Sequence, residues 1–286
     1  MDLINLSELS SVDVRSIWRL VDTPSSPVSG TVAWSFEGNG IRTRSTFIHA
    51  FRALGLEFIE LPNLLKTEER ARDLAGYLDP LYDFYVIRES NHARLAEFAA
   101  TSRRPVINAM SSEGHPCEVL ADAYFIDTAL SPIERVRICL WGPPTNVFRS
   151  WHELAVVLGL DVVHICQPRF HEVKPNVTFL ESPGVTADIV ITDGWLKGVD
   201  ASGSSLTQEH LAQMGNPKLL PTPPFALGRE ISFDPLTYEG FVGYEQKALL
   251  SAVQAAILQY VAQDSRQSVS ADNEASMLLA AMQNRH

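Results

Sequence analysis

Cysteine is scarce in this chain. Cys117, Cys139 and Cys166 are the only three in 286 residues, odd in number and far apart. Their spacing supplies neither a disulfide framework nor a zinc site, and reduced thiols in the cytoplasm are the default. Positive charge is also short. Lys and Arg number 23 against 34 Asp and Glu, a net charge of -11, which argues against nucleic acid or an anionic membrane as partner. Any basic site must therefore be local. No apolar run is long enough to span a bilayer, and Met1–Ser10 lacks the basic start and apolar core of a signal peptide. His152, His164 and His171 do not have metal-ligand spacing, and Cys117 has no neighbouring base in sequence, so neither a metal site nor a cysteine nucleophile is expected. Gly38 and Gly40 lack the third glycine of a dinucleotide fingerprint, and no Gly-Lys-Ser/Thr follows to make a P-loop.

What is present is an ordinary globular composition, 45% hydrophobic and 20% charged, patterned as alternating strands and helices. Leu3–Val21 reads as a short helix with Ser7 as a possible N-cap. Strands follow at Thr31–Phe36, Leu56–Leu61, Phe84–Ile87 and Pro105–Asn108, with helices over Ser45–Gly55, Thr67–Leu78, Ala93–Ala100 and His115–Ala129. A boundary falls near Ser131-Pro132 and the pattern restarts. Val136–Trp141, Asp161–Cys166, Ile189–Thr192 and Leu219–Leu220 read as strands, Phe148–Leu158 and Tyr244–Gln263 as helices, and Ser265–Ala275 as a polar tail, with Met277–Met282 adding a turn or two of helix. The fold class is α/β, two domains each built on a parallel sheet flanked by helices. Such sheets gather ligands at the carboxyl ends of their strands.

Polar residues stand at those ends. Gly38-Asn39-Gly40-Ile41-Arg42-Thr43-Arg44 joins the first strand to the first strong helix. A helix N-terminus with guanidiniums beside it suits an anion, most naturally phosphate, although two solvated loop arginines would read the same way. Arg88 and His115 sit at later strand ends, so the cations point to one crevice. Asn146 and Asp193 do the same in the second half, where Asp193 would hold a cationic group or equally cap a helix.

These motifs, in this order, resemble the aspartate/ornithine carbamoyltransferase family over nearly the whole chain. Phe36-Glu37 through Arg42-Thr43-Arg44-Ser45-Thr46-Phe47 is similar to the family's Phe-Glu-x-x-Ser-Thr-Arg-Thr-Arg-x-Ser-Phe loop, and Val86-Ile87-Arg88 to its Val-Ile-Arg strand end. Pro105-Val106-Ile107-Asn108 with His115-Pro116-Cys117-Glu118-Val119-Leu120-Ala121-Asp122 resembles Pro-Val-Ile-Asn…His-Pro-x-Gln-x-Leu-Ala-Asp, the most specific signal. Asn146-Val147 with Ser150, and Ala187-Asp188-Ile189-Val190-Ile191-Thr192-Asp193-Gly194-Trp195, lean toward the ornithine type.

The resemblance implies carbamoyl transfer from carbamoyl phosphate to a small amine or amino-acid acceptor, with no cofactor and no metal, in a cytoplasmic homotrimer. It implies a carbamoyl-phosphate domain over 1–130, an amino-acid domain over 131–243, and a C-terminal helix and tail over 244–286 that returns to the first domain. Arg42, Arg88 and His115 would be catalytic. Gly40, Ile41, Thr43, Arg44, Glu118, Asn146, Asp193, Thr222 and Pro223 would bind substrate: Arg42 and Arg44 the phosphate, Glu118 and the Pro223 carbonyl the carbamoyl NH2, Asn146 and Asp193 the acceptor. Pro224 would follow a cis peptide. Departures are specific. Gly40-Ile41 stands for Ser-Thr, Glu118 for Gln, Lys197-Gly198-Val199 for Ser-Met-Gly, Pro221-Thr222-Pro223-Pro224 for His-Cys-Leu-Pro, and Val242 for the arginine before the last helix, with Lys66 or Arg70 as substitutes in the loop that reaches a neighbour's site. They prompt a diamino acid acceptor, ornithine or shorter such as 2,3-diaminopropionate. Alternatives are a non-catalytic binding or regulatory relative, or a transferase with a cationic donor suited to Glu118.

Overall fold

Buried apolar runs make the strands. In the computed structural model, which describes residues 1–23, 26–195, 198–199 and 203–283 with side chains to 264, β1 (Thr31–Phe36), β2 (Glu57–Glu60), β3 (Phe84–Arg88) and β4 (Val106–Met110) form a parallel sheet in the order β2-β1-β3-β4. A second parallel sheet has β5 (Ile138–Trp141), β6 (Val162–Ile165), β7 (Val177–Leu180), β8 (Ile189–Thr192) and β9 (Lys218–Pro221) in the order β7-β6-β5-β8-β9. The strand order reverses beside β1 in one sheet and beside β5 in the other. Both sheets therefore have the switch points at which crevices form.

The helices cover the sheet faces. They are α1 (Ser11–Val21), α2 (Ile41–Leu54), α3 (Ala71–Leu78), α4 (His92–Thr101), α5 (Pro116–Phe125), α6 (Asn146–Leu158), α7 (Gln208–Gln213) and α8 (Gly243–Gln283). The chain opens with a single 3-10 turn, Leu6–Glu8, and the N-cap of α1 is Ser10, not Ser7. Ser10 and Asp13 close a capping box, each side chain accepting from the other's backbone N–H. Two elements escaped the sequence pattern: β7, a half-exposed edge strand, and α7, a six-residue helix. The polar tail expected over 265–275 continues α8 as helix.

α5 is buried along its whole length, because it lies between the sheets and packs on β4, α6 and α8. One core cluster runs through it from Leu3 and Trp34 to Trp151 and Ile257. α8 follows β9 yet packs against α1, α2 and α5, so the C-terminal helix returns to the first sheet as expected. Its first turn stays at the end of β9, where Val242 N–H donates to Leu219 O at 3.0 Å. This brings the start of α8 to the carboxyl ends of the strands.

Candidate functional site

The first helix after β1 begins earlier than its apolar spacing suggested. Gly40 is its N-cap, in the left-handed region at φ 43 and ψ 36, and Ile41 is already helical. Arg42 and Arg44 therefore sit two positions apart on one turn, and residues at that spacing face opposite ways. Arg44 is half-buried. It pairs with Glu60 on β2 and lies over the rings of Trp34 and Phe36, 5.2 and 5.1 Å from their centroids. Arg42 is exposed, and its charge reaches Arg88 and Lys247. Thr43 is buried, while Ile41 is 63% exposed.

Arg88 ends β3. Burial lowers the pKa of its guanidinium, and the Arg42 charge lowers it further. His115 caps α5 and is itself buried. Its N–H donates to Ser150 Oγ on α6 at 3.0 Å, while Nδ1 has no protein partner. Burial, with Lys247 and Arg88 nearby, pushes its pKa down to about 3. The imidazole is thus neutral at physiological pH and donates from one nitrogen only.

Lys247, on the second turn of α8, escaped the sequence reading. Its Nζ forms an ion pair with the Glu118 carboxylate, which is only 5% exposed. Burial, then Arg42, lowers the pKa of Lys247 to about 7; the carboxylate against it favours the ammonium. No arginine stands at Val242, and Lys247 brings a cation to the crevice from five residues further on. A lysine in a long amphipathic helix reads as a solvated charge, and only the rotation of α8 over α5 reveals where it points.

The second sheet supplies the facing wall. Asp193, at the end of β8, is buried, accepts from Gly194 N–H at 2.8 Å and caps no described helix. Burial raises its pKa to about 6, and the neighbouring Glu230 charge adds to the rise. Asp122, one turn beyond Glu118 on α5, is pushed up to about 8 by burial, with Asp193 contributing. Asn146 opens α6, with Thr145 as N-cap. Its Nδ2 donates to Ser111 O at 2.7 Å, which ties α6 to the loop after β4 and leaves one amide hydrogen uncommitted.

Thr222 N–H donates to Thr192 O at 2.8 Å, and the Pro223-Pro224 peptide is cis. A β-carbon on Gly194 would lie 2.7 Å from the Pro224 carbonyl oxygen, so only glycine lets the ends of β8 and β9 approach this closely. His115 Nδ1, Asp122 Oδ2 and Thr192 Oγ1 are among the buried polar atoms with no protein partner. Buried polar groups are nearly always hydrogen-bonded, so His115 Nδ1, at the end of the strands, is open to a ligand.

Other expected residues lie elsewhere. Lys66 bonds Glu89 and Glu37 of its own chain, and Arg70 pairs with Asp73. Lys197 lies outside the described residues. Burial drives the Cys117 thiol up to about 12, a poor nucleophile. A cleft of about 850 Å³ opens at the amino ends of β5, β8 and β9, but the chemistry-bearing side chains are at the carboxyl ends.

A family model described as the aspartate/ornithine carbamoyltransferase, carbamoyl-P binding domain matches residues 4–128. Ornithine carbamoyltransferase of Bradyrhizobium diazoefficiens is 32% identical over 219 residues, 69% of this chain and 71% of that protein. Its counterpart in Rhodopseudomonas palustris is 32% identical over 194 residues, where the match spans 62% of each chain. The crystal structure of ornithine carbamoyltransferase from Burkholderia thailandensis superposes with a TM-score of 0.82 at 22% identity, covering 91% of this chain and 98% of that one. The Pyrococcus furiosus enzyme gives 0.81 at 21% identity, covering 92% and 97%; both likenesses speak to the fold. On these matches the chain belongs to the aspartate/ornithine carbamoyltransferase family, nearer its ornithine type.

Proposed function

We propose that the protein transfers a carbamoyl group from carbamoyl phosphate to the amine of a small amino acid and releases phosphate. Residues 1–130 with 244–286 would form the donor half, 131–243 the acceptor half, and a homotrimer the assembly. The observation that carries this reading is the crevice itself. Cationic Arg42, Arg88 and Lys247 and neutral His115 stand on one side, and buried Asp193 on the other.

The chemistry follows from those charges. Arg42 and the first N–H groups of α2 hold the phosphate. Arg88 and His115 meet the carbonyl oxygen, on which negative charge grows as the amine attacks. The C–N bond forms, the C–O bond to phosphate breaks, and the surplus proton on nitrogen passes to phosphate or solvent. Holding amine and carbonyl in contact converts a bimolecular step into a local one. Asp193, with Glu230 in electrostatic range, favours an acceptor with a second ammonium, hence a diamino acid. A cationic donor is disfavoured, because the Glu118 carboxylate already has Lys247 as its cation.

The test is phosphate release from carbamoyl phosphate by the purified chain with a panel of amines. Ornithine or a shorter diamino acid should stimulate it; no stimulation by any of them overturns the proposal. Carbamoyl phosphate binding without turnover by any amine would favour a non-catalytic relative.

A further inference from the structure

Glu118 lies where the family resemblance put a carbamoyl-orienting group, yet its carboxylate is committed to Lys247. We infer that Lys247 is the residue of this pair that contacts the donor, and that Glu118 is a positioning residue acting through it. The inference rests on the proposed function for the identity of the donor.

Three observations carry it. Lys247 is 21% exposed at its side chain, whereas Glu118 is 5% exposed, so Lys247 is the less buried member of the pair. The ammonium also lies within electrostatic range of both Arg42 and His115, the group that would hold phosphate and the one that would meet the carbonyl. Lastly, Glu118 is at the third position of α5, where a carboxylate suits the positive end of the helix. That position fixes Glu118 in place, and the carboxylate in turn holds a flexible lysine in one geometry.

The charge arithmetic agrees. A bare carboxylate beside a phosphate dianion would repel it, and a buried unpaired charge is strongly unfavourable. With Lys247 in place, Arg42, Arg88 and Lys247 face one carboxylate, and the positive excess matches a dianion. The pair thus makes Glu118 compatible with the donor, and the missing arginine at Val242 is offset from the same helix.

The experiment is calorimetric titration of the full chain and its variants with carbamoyl phosphate, with thermal unfolding to confirm that each variant folds. Lys247→Met should weaken binding at least thirtyfold, because it removes a cation and strands the Glu118 carboxylate. Lys247→Arg should stay within threefold of wild type. Adding Glu118→Gln to Lys247→Met should recover at least threefold of the loss, since the stranded charge goes with it.

If Lys247→Met does not fold, the double variant, which removes both charges together, serves alone and should bind at least tenfold more weakly than wild type. Lys247→Met or the double variant binding within twofold of wild type would overturn the inference. So would a failure of Glu118→Gln to recover affinity in the Lys247→Met background, which would place Glu118 itself on the carbamoyl amide. A wild-type chain that binds no carbamoyl phosphate overturns the donor assignment and this inference with it. Binding that follows the expected pattern without amine-dependent turnover overturns the proposed function and leaves the inference standing.

Discussion

A β-carbon at Gly40 would lie 3.3 Å from Arg88 Nη1 and 3.1 Å from the Phe36 ring. Glycine at this position is therefore part of how Arg88 is seated. The backbone also sits in the left-handed region, which costs a residue with a side chain about 1–2 kcal/mol. Gly40→Ser, which restores a hydroxyl typical of the family, should lower the melting temperature by several degrees and weaken carbamoyl phosphate binding by displacing Arg88. Calorimetry and thermal unfolding measure both. Tighter binding in the serine variant would mean that the lost hydroxyl matters more than the seat of Arg88.

Arg42 and Arg44 should part company on mutation. Arg42→Ala removes an exposed guanidinium whose charge reaches Arg88 and should reduce carbamoyl phosphate affinity at least thirtyfold with little change in stability. Arg44→Ala should leave that affinity within threefold. Its cost is structural, the Glu60 pair and the contacts over Trp34 and Phe36, together about 1 kcal/mol. Titration of the two variants side by side decides the matter. Equal loss in both would show that Arg44 swings to the phosphate when the donor binds.

These cases also mark what the sequence made legible. Buried runs such as Phe84–Arg88 and Ile189–Thr192 announced strands, and polar residues at their ends announced the crevice. The start of α2 was less visible, because Ile41 is apolar but exposed and breaks the buried-face spacing that begins at Thr43. That four-residue difference put Arg42 and Arg44 in one loop, where both could face a phosphate, when the helix sets them two positions apart on its first turn. Lys247 was hidden for a different reason: no local pattern reports how α8 is rotated against α5. β7 was missed because an edge strand with half-exposed residues lacks a continuous apolar signal.

Asp122 should make stability fall with rising pH. Its carboxyl is held near 8 in the fold, mainly by burial, against an ordinary value of 3.8. Between those values the folded chain keeps a proton that the unfolded chain has released, and the fold loses stability with each unit of pH. This contribution is complete below about 4, declines up to about 8 and then levels off. Denaturant unfolding of wild type and Asp122→Asn across pH 4–9 isolates it: the difference between them should tilt in favour of the variant as pH rises. A flat difference would mean that Asp122 ionises freely in the folded chain.

Asp193 should set the acid limb of acceptor binding. Its folded value is about 6, raised first by burial and then by Glu230. The carboxylate is charged above that value and protonated below it, so its attraction for an ammonium group is present at neutral pH and fades in acid. The KM for a diamino acid acceptor should rise as pH drops through 6, approaching tenfold per unit well below it. Asp193→Asn should raise that KM at least tenfold at pH 7.5 and remove the acid limb. Steady-state kinetics on both proteins between pH 5 and 8 provide the measurement. An acid limb that persists in the asparagine variant would assign the titration to another group and leave Asp193 as a structural residue at the end of β8.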